Sequence, residues 1–213
     1  MRDGDIIAEK KSDQPNAHSS QLAVFINDLL TNHGVKPADL NAVCVSSGPG
    51  SYTGLRIGVS SAKGLCYALD IPLLAVPTLQ NMAMYYYSLH PDYNGLVCPM
   101  IDARRMECYT AIFSRDGIEK ETSADVIENG IYDKWLDNNV VTFIGDGAAK
   151  THDILSVHTN ARYDTSFAIS AAGMASIAIQ KMDNGDFEDV AYFEPFYLKD
   201  FVAKKSVVHG LRD

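Results

Sequence analysis

The stretch Ser46-Ser47-Gly48-Pro49-Gly50-Ser51-Tyr52-Thr53-Gly54 constrains the fold more than any other part of the chain, because it is the densest glycine cluster and lies between two apolar patterns. Ahead of it, Ala42-Val43-Cys44-Val45 is a compact apolar run that reads as a buried strand. Behind it a helix runs to about Leu69, with Leu55, Val59, Ala62, Leu65 and Leu69 on one face. Ile71 to Val76 is a second apolar strand and Thr78 to Leu89 a second helix. Strand, turn, helix, strand is a βαβ unit, which implies a parallel pair joined by a right-handed crossover. The fold class is α/β.

The flanking sequence extends this unit in both directions. Ile6 to Lys10 is mildly apolar and reads as an edge strand. Ser19 or Ser20 is placed to cap a helix in which Leu22, Phe25, Ile26, Leu29 and Leu30 recur at helical spacing. Gly34 suits the left-handed position that ends it, and Pro37 to Leu40 is a short helical turn. The cluster His90-Pro91-Asp92-Tyr93-Asn94-Gly95 marks a boundary, giving an N-terminal domain over 1–95 and a C-terminal domain over 96–213. Beyond it Leu96 to Ile101 and Met106 to Phe113 are strands at hairpin distance, and Val140 to Ile144 is a third, ending in Gly145-Asp146-Gly147. Ala168 to Met182 is helix-like.

A chain of 213 residues buries about 70% of its unfolded surface, so its core needs no metal or disulfide. Cys44, Cys66, Cys98 and Cys108 are scattered among apolar neighbours without a C-x-x-C pair and read as small core hydrophobes. The formal net charge of −9 argues against broad nucleic-acid binding, which rests on Lys and Arg neutralising phosphates. The apolar stretches fall well short of a bilayer span, and the opening residues carry no leader-like apolar core, so a cytoplasmic protein is expected.

Two places invite a ligand. Gly48, Gly50, Ser51, Thr53 and Gly54 form a strand-to-helix turn whose free N–H groups and positive helix end suit phosphate. The spacing matches neither the dinucleotide fingerprint nor a P-loop, since Lys63 lies between Ala62 and Gly64. Gly54, Gly58 and Ala62, four residues apart, support the other reading, a tight turn that lets the helix pack close. Asp102, Arg104 and Glu107 form a charged corner between two strands, either binding an anion through Arg104 or Arg105 or tying the corner together. No nucleophile elbow and no H-E-x-x-H is present, and His152 and His158 are out of phase for one helical face, so neither a catalytic residue nor a metal site is expected. The tail from Tyr197 to Lys205 is locally basic and reads as a solvated terminus.

Ser47 to Gly58, then Ala62-Lys63-Gly64-Leu65, Ile71-Pro72 and Val76-Pro77-Thr78-Leu79 resemble the TsaB (YeaZ) family closely. Ile101-Asp102-Ala103-Arg104, Glu107-Cys108-Tyr109, Gly145-Asp146-Gly147 and Pro195-Phe196-Tyr197-Leu198 extend the resemblance over nearly the whole chain. It implies two actin-like, ribonuclease-H-like domains of the ASKHA superfamily. It also implies a non-catalytic subunit that binds a catalytic paralogue, TsaD, joined by an ATPase, TsaE, for threonylcarbamoyl transfer to adenosine 37 of tRNA. The paralogue carries a metal-binding H-x-E-G-H where this chain has Thr78, Gln80 and Met82, and a hydroxyl and a thioether do not replace two imidazoles. The chain is then expected to need no cofactor of its own, with ATP or ADP at the interface of the complex, and to touch tRNA only indirectly.

The same resemblance places the partner interface on two helices, at Leu22, Phe25 and Leu29 and at Gly54, Gly58 and Ala62, with a homodimer expected when the chain is alone. Family members open on a strand of the type I-L-x-I-D-T-S, whereas Met1-Arg2-Asp3-Gly4 resembles the end of their second strand. A central strand and one phosphate-facing loop are therefore expected to be missing, leaving unpaired backbone groups at a sheet edge that lowers stability or self-associates. The rival readings are a small nucleotide-binding kinase or ATPase on the same fold, which predicts ATP turnover, and a metallopeptidase, which predicts bound metal.

Overall fold

The computed structural model describes residues 1–2, 4–12 and 17–199, the side chains of 17–20 excepted. The cap expected at Ser19 or Ser20 is corrected, since α1 already begins at Ala17 and both serines lie within it, while the tail beyond Lys199 lies outside the described residues. Helix α1 (Ala17–Asn32) ends at Gly34, whose φ of +63° is the left-handed turn expected there, and a 3-10 turn follows at Pro37–Asp39. Strand β1 (Val43–Gly48), helix α2 (Tyr52–Leu69) and strand β2 (Leu73–Pro77) form the βαβ unit, with β1 and β2 parallel from Val43–Leu73 to Ser46–Val76. Helix α3 (Thr78–Leu89) then leads to a second sheet.

That sheet contains β3 (Leu96–Asp102), β4 (Glu107–Phe113), β5 (Ile118–Val126), β6 (Val141–Ile144) and β7 (Ala161–Asp164), in the order β5-β4-β3-β6-β7. The β3–β4 and β4–β5 pairs are antiparallel hairpins, and β3, β6 and β7 are parallel. Short helices α4 (Asp133–Leu136) and α5 (Ala148–Leu155) and the C-terminal helix α6 (Ala175–Asn184) complete the described elements. Strand alternation divides the packing. Leu96, Cys98, Met100, Cys108, Ile112, Val141 and Phe143 face a core closed by Tyr132, Leu136 and Leu155. Val97, Ala111, Phe113 and Ile144 face the opposite way onto Leu79, Met82, Ala83, Tyr86 and Tyr87 of α3, which joins the two sheets. The four cysteines are free; burial pushes the thiols of Cys44 and Cys108 up to about 11, as befits packing groups.

Two further expectations about secondary structure are corrected. Ile6 to Lys10 is not a strand: it lies on the surface with Ile6 and Ile7 exposed, tethered by Lys10 to Asp28 and by Glu9 to the Ser170 hydroxyl. The helix expected from Ala168 begins only at Ala175. Ser170 instead caps a 3-10 turn (Ala171–Met174), accepting from the Ala172 N–H at 2.9 Å. In that turn Gly173 presses so close to α3 that a Cβ would lie 2.7 Å from the Asn81 carbonyl oxygen. Near its end the chain returns to the first sheet, crossing back over the boundary drawn at residue 95. Helix α6 packs against β2, Glu188 N–H donates to the Leu73 carbonyl at 2.9 Å, and Val190 and Phe193 cover Ala62, Cys66 and Leu73.

The first sheet, among the described residues, pairs β1 with β2 on one side. Among the described residues β1 has no partner strand beyond β2, and the Phe196 N–H reaches it only at its end, donating to the Ser47 carbonyl at 2.7 Å.

Candidate functional site

The glycine turn is built where β1 gives way to α2. Gly48 has a φ of +113°, and a Cβ there would lie 2.5 Å from the Phe196 carbonyl oxygen, so glycine is required both by conformation and by the returning chain. Ser51 is the N-cap of α2: its hydroxyl accepts from the Gly54 N–H at 3.3 Å. That bond uses one of the N–H groups a phosphate would seek. Ser51→Ala should lower the unfolding free energy by about 1 kcal/mol, read as a shift of the urea midpoint at unchanged slope.

Gly50, Ser51, Gly54 and Leu55 line a groove of about 270 Å³ together with Val45 and Ser46 of β1, Thr78 of α3 and Ile101 of β3. None of its lining residues carries a charge, and much of the lining is apolar. The Ser46 and Thr78 hydroxyls are bonded to each other at 2.6 Å. Thr53 points to solvent. Of the five residues of the expected phosphate turn, Gly50, Ser51 and Gly54 thus line the groove, whereas Gly48 and Thr53 do not.

The charged corner lies at the carboxyl ends of β3 and β6. Lys150 pairs with the Asp102 carboxylate and donates to the Glu107 carbonyl at 2.7 Å. The Arg104 N–H reaches Asp102 Oδ1 at 2.8 Å, and the Asp102 N–H donates to Asp146 Oδ1 at 3.0 Å. The Lys150 hydrogen bond holds the Asp102 carboxyl below the usual aspartate range. Lys199 pairs with the Glu107 carboxylate. Asp102 and Glu107 are therefore tied into the fold, while Arg104 and Arg105, both at positive φ, are exposed.

The start of α3 is filled by packing and hydroxyl pairing. Thr78 is bonded to Ser46, and the Met82 methyl packs against Gly145 so tightly that a Cβ there would sit 2.6 Å away. Among the described residues no three His, Cys, Asp or Glu side chains are placed to hold a metal.

The two interface patterns lie on helices that pack against each other, but they differ in what they face. Leu22, Phe25 and Leu29 of α1 are half-buried, with the Lys10 ammonium 4.6 Å over the Phe25 ring. The small-residue stripe of α2 turns inward: Gly58 faces Val45, Gly54 faces Ser51, and Ala62 is only 5% exposed within the core beside Cys66 and Leu73. That stripe packs the helix on its own sheet. Outward stand Thr53, Arg56, Ser60, Gly64 and Tyr67, the last 85% exposed. Lys63 and Lys150 were not marked by the sequence, because their partners are backbone carbonyls and carboxylates far away along the chain.

The fold is that of an α/β protein, and residues 6–207 match the family model described as TsaD, tRNA N6-adenosine threonylcarbamoyltransferase. Within this group the chain belongs to the TsaB (YeaZ) family. It is 33% identical over 202 residues to the tRNA threonylcarbamoyladenosine biosynthesis protein TsaB of Escherichia coli, a match covering 91% of this chain and 85% of that protein. TsaB of Bacillus subtilis is 35% identical over 138 residues, 64% of this chain, and the match spans 58% of the relative's length. The solved structure of YeaZ from Pseudomonas aeruginosa superposes with a TM-score of 0.73 at 27% identity, covering 86% of this chain and 85% of that one.

Proposed function

We propose that this chain is a non-catalytic subunit in threonylcarbamoyladenosine synthesis on tRNA, docking a catalytic TsaD-type relative through the outer faces of α1 and α2. In this reading the two sheets are two actin-like units, and a TsaE-type ATPase joins the assembly. The observation that carries it is the start of α3, where Thr78 is bonded to Ser46 and Met82 is packed on Gly145. A hydroxyl already paired and a buried thioether offer nothing to the metal that the catalytic relatives are expected to hold there. The uncharged groove supports the absence of an own nucleotide, with ATP or ADP held at the junction of the complex. The net charge of −9 suits a subunit that leaves tRNA contact to its partners.

The test is size exclusion with light scattering on the chain alone and mixed with its catalytic relative. A homodimer that exchanges into a heterodimer is expected. Failure of the unmodified chain to associate with the relative sinks the subunit reading, and ATP turnover by the isolated chain would favour the kinase or ATPase alternative. Gly64→Arg locates the face. No atom lies within 4 Å of the position a Cβ would take, and arginine is the better helix former, so the fold is retained. The bulky side chain on the outer face of α2 should weaken association at least tenfold, a loss of about 1.4 kcal/mol. Unchanged affinity would place docking elsewhere.

A further inference from the structure

We infer that Lys63 is a positioning residue, whose ammonium locks the C-terminal segment across α2 and thereby fixes the helix that docks the partner. This deepens the docking reading above and rests on it. The Lys63 ammonium donates to two backbone carbonyls more than a hundred residues away in sequence, Ala191 at 3.1 Å and Phe193 at 2.9 Å. A cation on neutral carbonyls makes charge-assisted hydrogen bonds, stronger than neutral ones. Together with Val190 and Phe193, which pack beside Ala62 and Cys66, it joins this segment to α2 at mid-helix.

On either side of this clamp the segment makes contacts of two different strengths. Toward its start, Val190 and Phe193 are inserted beside Ala62, Cys66 and Leu73. Toward its end it lies on the surface: Phe196 N–H donates to Ser47, the Tyr197 ring rests 4.9 Å from that of Tyr52, and Lys199 reaches Glu107. Tyr52 is the first residue of α2, and Arg56 one turn on donates to its hydroxyl at 3.0 Å. The segment therefore holds α2 at its start and near its middle. It does so on a helix supported beneath, among the described residues, by the two strands β1 and β2. The orientation of α2 therefore depends on what crosses it as well as on what it sits on.

Lys63→Met keeps the aliphatic stem and removes the ammonium. Amide exchange of Phe196, referenced to the β3 and β6 amides, should accelerate roughly tenfold or more, the size of a charge-assisted hydrogen bond lost from a local opening. Affinity for the catalytic relative should weaken about tenfold, with the unfolding midpoint of the second sheet unmoved. Lys63→Arg should restore both readouts. Tyr197→Ala, which leaves Val190 and Phe193 in the core, should move both in the same direction as Lys63→Met. Unaltered Phe196 exchange in Lys63→Met overturns the clamp. Faster exchange at unchanged affinity overturns its role in docking. If the unmodified chain binds no relative, the subunit reading falls, while the exchange measurement still decides the clamp.

Discussion

Asp125→Ala should destabilise the chain by about 3–5 kcal/mol, the cost of leaving a buried partner charge uncompensated. Asp125 of β5 and Lys120 form an ion pair at 2.9 Å with side chains only 11% and 17% exposed. The carboxylate also accepts from Thr110 at 2.6 Å, Ser123 at 2.7 Å and Tyr132 at 2.8 Å, and Tyr132 is fully buried. Removing it strands the Lys120 ammonium and the Tyr132 hydroxyl together. Urea unfolding of the variant measures the loss, and a change under 1 kcal/mol would mean that water replaces the carboxylate.

The same group gives a signed pH dependence. Burial pushes the Asp125 carboxyl up, but the hydrogen bonds from Ser123, Thr110, Lys120 and Tyr132 together outweigh it and hold it below its ordinary 3.8. A carboxyl depressed in the folded state adds stability above its unfolded value and loses it as pH falls through the folded one. The unfolding free energy should therefore drop progressively below about pH 4, and Asp125→Asn should flatten that part of the profile. An equal slope in both proteins would assign the acid loss to other carboxylates.

Gly145→Ala is the second large effect, expected at about 2–5 kcal/mol from left-handed strain plus overpacking. Gly145 has a φ of +95°, and its Cβ would lie 2.5 Å from the Met100 carbonyl oxygen and 2.6 Å from the Met82 methyl. The methyl can swing away, but the carbonyl is fixed in β3. Gly185→Ala separates the two contributions, since its φ of +68° carries the strain with no atom within 4 Å. Chemical denaturation should show Gly185→Ala costing about 1–2 kcal/mol and Gly145→Ala clearly more; equal losses would mean that the β3 carbonyl yields.

The βαβ unit and the β3–β4 hairpin were legible because burial on both faces writes continuous apolar runs such as Leu73 to Val76 and Leu96 to Cys98. Strand β5 was not, because an edge strand with Glu119, Lys120 and Glu121 in sequence carries no apolar signal. Spacing put Gly54, Gly58 and Ala62 on one face of α2 correctly. It left open whether that face looked to a partner or to Val45, since small residues suit close approach to either. The glycines of the turn were legible as a turn, but the reason for Gly48 is the Phe196 carbonyl, a contact between backbones that no local pattern encodes.

The return of the C-terminal segment to the first sheet sets an order on synthesis. Lys63 and Ala191 are 128 residues apart, so at about 5–20 residues per second α2 leaves the ribosome roughly 6–26 s before its clamp exists. Throughout that interval Ala62, Cys66 and Leu73 lack the cover of Val190 and Phe193. The second sheet, whose hairpins close locally, is positioned to fold in the meantime. A nascent chain stalled before residue 190 would present an exposed apolar patch, making a stretch translated long after α2 the one that protects the first α/β unit from aggregation.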